Sequence, residues 1–245
     1  MDSFLLLILV TGGSLISSLT GLGGGTLILA GMMLVYPPEL AIPLHSFTQL
    51  SANGIRTGLF YRSINWKVVG AYAALMIPFA WAGAQLFEHV NSSWLKMIVA
   101  IFIIFSILPM KLKPKSEPGL ITFTALGALS GFLGVFVGAV GPMVMPFFNR
   151  LKIPRDSMLS TKSGGQMFLQ VSKILAFWGT AAIDFGPLYN HIAILISGTL
   201  VGVLISVPLG KRISDRKFNQ LINIMMFFIA MKLLFEGVKE IAGIA

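Results

Sequence analysis

Two polar series stand inside otherwise apolar sequence: Gln49, Asn53 and Arg56, and later Gln166, Gln170 and Lys173. Spacing of i, i+4 and i+7 puts each trio on one helical face. A cation inside a bilayer costs about 2.5–3.5 kcal/mol on insertion scales unless it faces protein or water. Both faces are therefore expected to turn inward. An amide pair followed by a cation can donate several hydrogen bonds to sulfonate or carboxylate oxygens without presenting a competing negative charge. Polar contact between helices is the alternative use of the same residues. His45 stands one turn before Gln49; because histidine titrates near neutral pH, it is the candidate for coupling transport to protons. Lys232 and Glu236, also one turn apart, read as a mutually neutralising pair.

Glycine clusters supply a second kind of donor. Gly21 to Gly25 interrupts one long apolar stretch, and Gly134, Gly138 and Gly141-Pro142 interrupt another. Glycine costs about 1 kcal/mol against alanine in a helix and proline about 3, so these are predicted break points. The first turn after a break has unpartnered N–H groups at the electropositive end of the helix dipole, where an anion is the natural ligand. The donors predicted at the first break are the N–H groups of Gly24, Gly25, Thr26 and Leu27, with the Thr26 hydroxyl added, and Gly23 joins Gly24, Gly25 and Thr26 as a substrate-binding candidate. At the second they lie around Gly141 and Pro142, where a missing N–H is tolerated. The spacing of Gly127, Gly131, Gly134 and Gly138 also suits close helix packing, a purely structural use. GLGGGT lacks the lysine of a phosphate-binding loop.

These residues need a scaffold, and composition says which. Of 245 residues, 56% are hydrophobic and 11% charged, where a soluble domain carries about a quarter as charged residues. Such a chain cannot make a water-facing surface, and all-α membrane architecture is expected. Eight apolar stretches follow one another, at roughly 4–36, 40–61, 67–88, 94–110, 119–149, 157–180, 187–209 and 218–238. The first and fifth would overshoot a bilayer core of about 30 Å as single helices, so each is predicted to fold as a glycine-tipped hairpin, giving about ten helical segments. If the fifth returns to its own side, every basic loop residue except Lys96 and Lys239 falls on one face, as the positive-inside rule prefers. Both termini then lie outside, and Met1 to Val10 reads as a retained helix rather than a cleaved signal. Trp66, Trp94, Trp178, Tyr36, Tyr61 and Tyr189 fall near span ends as interfacial anchors.

The halves resemble each other. Setting Gly25-Thr26 against Gly141-Pro142 brings Pro38 opposite Pro154, Ser46 opposite Ser163, the two polar trios together, and Ile64-Asn65-Trp66 opposite Ile183-Asp184-Phe185. A hairpin plus three spans in each half, residues 1–116 and 117–245, turns the second half upside down, the inverted-repeat plan of many secondary transporters. There is no cysteine, and so neither disulfide nor thiolate metal site. No metal or organic cofactor is implied. The net charge of +9 reflects basic loops rather than a nucleic-acid surface. No HExxH, GxSxG or paired intramembrane aspartates mark an enzyme.

Gly21-Leu22-Gly23-Gly24-Gly25, the run Gly141-Pro142-Met143-Val144-Met145-Pro146 and Ile64-Asn65-Trp66 together resemble the sulfite exporter TauE/SafE family over nearly the whole chain. The resemblance implies a cytoplasmic-membrane permease for sulfite or related organosulfonates. Its expected partners are a small anion and the bilayer, with a homodimer left open and nucleic acid excluded. Transport of another anion such as a carboxylate, and a channel or structural subunit, are the alternatives.

Overall fold

The computed structural model describes residues 3–20, 24–108, 116–180, 183–209 and 216–243. Among these the chain is all helical: α1 (Ser3–Thr20), α2 (Gly24–Met32), α3 (Pro38–Leu59), a 3-10 turn (Tyr61–Ser63), α4 (Trp66–Ala73), α5 (Met76–Phe87), α6 (Ser92–Ile107), α7 (Leu120–Val137), α8 (Gly141–Phe148), α9 (Arg155–Gly179), α10 (Tyr189–Leu209) and α11 (Arg216–Ile241). It is an all-α membrane protein. Among the described residues three stretches are long and apolar enough to cross a bilayer by length and composition: Trp66–Phe87, Leu120–Val137 and Tyr189–Ser206. The 22-residue α3 and 25-residue α9 have the length but carry the polar trios, which lowers their hydropathy.

Helix boundaries follow local chemistry. Pro37-Pro38 opens α3, where missing N–H groups are tolerated. Asn65 and Asn91 cap α4 and α6 by accepting the N–H of Val68 and Trp94. The seventh-decade span, expected as one helix, is two. Pro78 cannot donate to the Ala74 carbonyl and its ring crowds that group, so the chain breaks at Ala74–Leu75 between α4 and α5. That break accounts for the helical segment beyond the expected ten.

Both interrupted stretches double back. A Cβ on Gly13 would lie 3.3 Å from Ile28 Cγ1, and one on Gly31 3.9 Å from Leu9 Cδ2, so α2 runs antiparallel along α1. In the second stretch the Phe148 ring stands 5.1 Å from that of Phe123. The Arg150 guanidinium donates to the Ser116 carbonyl, and the Lys152 N–H donates to Glu117 at 3.2 Å. The chain thus returns beside its own starting point. Between the arms Gly138 adopts φ +69°, a left-handed conformation suited to glycine. A Cβ there would sit 2.6 Å from Leu29 Cδ2 of α2, so the two hairpins meet at their tips.

Close backbone approach assembles the rest. Gly127 and Gly131 of α7 lie directly on the Tyr72 and Met76 carbonyls, and Gly198 and Gly202 of α10 lie on Leu7 and Thr11 of α1. The residue numbers rise together in each pair, so both pairs are parallel. The α3–α9 and α6–α11 pairs are antiparallel: Arg56 faces Lys162 while His45 faces Lys173, and Gly237 near the end of α11 meets Ser93 and Met97 near the start of α6. Lys232 pairs with Glu236 at 3.5 Å as the spacing predicts, and Lys96 joins Glu240 to the same cluster. Trp66, Trp94, Trp178, Tyr61 and Tyr189 are exposed at span ends, whereas Tyr36 is half-buried with its ring 6.1 Å from His191.

The glycine contacts give a direct test. A methyl on Gly127 would lie 1.8 Å from the Tyr72 carbonyl oxygen, whereas one on Gly70 meets nothing within 4 Å. Gly127→Ala is expected to lose about 1–3 kcal/mol through overpacking, read as a lower melting temperature in detergent, with Gly70→Ala at or above wild type.

Candidate functional site

The hairpin tips and the two polar faces enclose one cavity of about 50 Å³. A water needs roughly 10–15 Å³ on this scale, so the space suits a few waters or one compact oxyanion. Gly25 and Thr26, in the first turn of α2, form one wall. Gly141 and Pro142, in the first turn of α8, form the facing wall beside Ala139. From α3 come His45, Gln49, Asn53 and Arg56, and from α9 Lys162, Gln166 and Gln170. Ser17 of α1 completes the described lining, in which there is no Asp or Glu.

Individual side chains are held in distinct ways. Thr26 Oγ1 and Gln49 Nε2 are buried without a hydrogen-bond partner, and the Gln49 carboxamide packs so closely on Gly25 that a Cβ there would be 3.0 Å from its oxygen. Asn53 Nδ2 donates to the Gln49 carbonyl at 2.9 Å, anchoring that amide to its own helix. Gln166 Nε2 donates to the Tyr72 hydroxyl at 3.0 Å, which donates to Ser130 Oγ at 2.8 Å, so a polar chain ties the cavity wall to α4 and α7. Gln170 accepts from Lys173 Nζ at 3.3 Å, which leaves its NH₂ group for the cavity. Arg56 Nη2 donates to Ser18 Oγ at 2.9 Å. The His45 ring nitrogen Nε2 meets the Gly25 carbonyl at 2.8 Å.

Most of the predicted residues therefore converge. Gly23 lies outside the described residues, and Gly24 begins α2. Lys173 stands back from the lining. It is fully buried and donates to the Gly138 carbonyl at 2.9 Å, bracing the second tip. Because α9 runs antiparallel to α3, the cation beside Arg56 comes from the start of α9, and it is Lys162. Spacing could have found it, since Lys162 precedes Gln166 by one turn on the same face. Tyr72 and Ser130 carry no local signal, being distant in sequence from each other and from Gln166. The two readings of the second glycine cluster divide by position: Gly127 and Gly131 serve packing, while Gly138 and Gly141 shape the tip and the cavity.

Arg56 and Lys162 are partly exposed, whereas His45 and Lys173 are fully buried. The mouth is therefore at the end of the molecule that carries Arg62, Lys67, Arg150, Lys152 and Arg155. With no carboxylate, two cations, unpartnered donors and two helix N-termini, the cavity is chemically suited to an anion.

The polar chain predicts an outcome. Tyr72→Phe strands the buried Gln166 amide and Ser130 hydroxyl, at about 1–3 kcal/mol. Thermal melts should show that loss, with a smaller one for Ser130→Ala, which leaves the Gln166 contact intact.

Comparison with known proteins bears on this geometry. No curated protein and no solved structure matches the chain. The family model described as Sulfite exporter TauE/SafE matches residues 4–233, nearly the full length and the whole cavity. The chain belongs to the sulfite exporter TauE/SafE family of membrane transporters.

Proposed function

We propose that the protein is a secondary transporter that exports small anions of the sulfite and organosulfonate type across the cytoplasmic membrane by alternating access. The observation that carries this reading is the carboxylate-free cavity, where the first turns of α2 and α8 face each other across unpartnered donors and two cations. A cation site is favoured by carboxylate oxygens; this lining has none and places two cations, Arg56 and Lys162, beside the space. The small volume favours a compact oxyanion such as sulfite over one bearing a carbon chain, in the conformation described.

Residues 1–116 and 117–245 act as two inverted halves. Support comes from helix pairing: α1 with α10 and α7 with α4–α5 are the same parallel contact exchanged between halves, while α3–α9 and α6–α11 are antiparallel pairs of equivalents. The halves rock about the tips, exposing the anion first to one face and then to the other. The basic end is cytoplasmic, both termini are outside, and the conformation described opens inward past Arg56 and Lys162.

Two experiments test this reading. Thermal stabilisation of purified protein across sulfite, sulfoacetate, sulfate, acetate and divalent cations should select sulfite, and Arg56→Gln or Gln170→Leu should weaken the response about 10- to 100-fold, the scale of a lost charge-assisted hydrogen bond. Sulfite-loaded proteoliposomes should show exchange-stimulated uptake, which a simple channel lacks. Stabilisation by acetate alone would favour a carboxylate carrier, and by cations alone would overturn the anion reading. Orientation is testable because the chain has no cysteine: His89→Cys should react with an impermeant maleimide on intact cells, and Lys152→Cys only after lysis.

A further inference from the structure

His45 lines the cavity and is bonded to the first hairpin tip. Its ring is fully buried in α3. Nε2 lies 2.8 Å from the Gly25 carbonyl, a group that can only accept, so Nε2 carries a hydrogen in every protonation state. In the neutral ring Nδ1 then holds a lone pair, and Nδ1 has no hydrogen-bond partner. The Gly138 carbonyl of the second tip and the Lys173 ammonium lie within electrostatic reach of the same ring. The residue thus combines an anchored nitrogen, an unoccupied basic nitrogen, and carbonyls from both halves.

The charges around it are of one sign. Its own helix contributes Arg56, and α9 contributes Lys162 at the cavity and Lys173 behind it. The lining residues from α1, α2 and α8 are Ser17, Gly25, Thr26, Gly141 and Pro142, none of which titrates in this range, and no carboxylate lines the cavity. A proton arriving at Nδ1 therefore meets only positive charges, with the Gly138 carbonyl as a neutral acceptor, and an anion in the cavity supplies the negative charge that offsets it. By the same reciprocity, the imidazolium strengthens anion binding as much as the anion strengthens protonation.

On the reading of the cavity as an anion site, we propose that His45 is the proton-coupling residue of transport, taking a proton on Nδ1 as the anion binds and releasing it to the same compartment as the anion. The proton comes from water on the side of uptake, and no bond to the anion's heavy atoms forms or breaks. While protonated, the ring donates from Nε2 to Gly25 and can donate from Nδ1 toward the Gly138 carbonyl or the anion. The loaded state then holds the two tips together through one side chain, and the empty state releases that link.

The test reads the ring directly. In full-length protein with His89→Asn and His191→Asn, His45 is the sole histidine, and nitrogen NMR of labelled histidine reports its tautomer and charge. Without anion at pH 8, the neutral Nε2–H tautomer is expected; saturating sulfite should convert it to imidazolium. A ring that stays neutral with sulfite bound overturns the coupling while leaving anion transport standing, and failure to bind sulfite overturns both. In proteoliposomes with the membrane potential clamped, His45→Gln keeps an N–H donor for Gly25 but cannot titrate. Its sulfite counterflow, taken relative to its own rate without a gradient, should lose the response to an imposed pH gradient that wild type shows. An unchanged response to the gradient counts against the proposal.

Discussion

Lipid offers the backbone no hydrogen bonds, so a chain that interrupts a helix within the membrane must satisfy the freed groups from within. Everything in this structure is arranged around two such interruptions. The carbonyls at the tips are met by His45 at Gly25 and by Lys173 at Gly138. The N–H ends of α2 and α8 face the cavity. The tips are thus closed differently on their two sides: the Gly25 and Gly138 carbonyls are bonded to side chains, and the first turns of α2 and α8 line the cavity.

That division explains why two cations with similar places in the polar trios do different work. Arg56, near the mouth, is partly exposed and bonds Ser18. Lys173, deep in the bundle, would be a costly isolated charge, and its contacts with Gly138 and Gln170 turn it into a brace. Beneath both, glycine-to-backbone contacts bring α7 onto α4–α5 and α1 onto α10. Without the hydrophobic effect to drive helices together in lipid, such close packing carries much of the assembly. The hairpins are thereby suspended from rigid parallel pairs rather than from the helices that form the cavity.

Much of this was legible in the sequence because it rests on period and punctuation. Glycine breaks in over-long apolar stretches marked the hairpins, and i, i+4, i+7 spacing marked the inward faces of α3 and α9. Basic loops oriented the second hairpin. What stayed hidden depends on which residues meet across the bundle. Lys162 sits inside the 157–180 stretch in helical phase with Gln166, but matching the two halves points to Lys173 as the cation of that face. The roles of Tyr72 and Ser130 required knowing that α4, α7 and α9 share a neighbourhood. The split of the Trp66–Phe87 span was available from Pro78 alone, but the run's uniform apolarity masked it.

That split has a consequence for energetics. α10 passes its length unbroken, whereas its counterpart is jointed at Ala74–Leu75. A jointed rod bends more readily than a continuous one, so of two spans that each pack in parallel against a hairpin arm, one is stiff along its length and the other carries a built-in point of compliance beside α7.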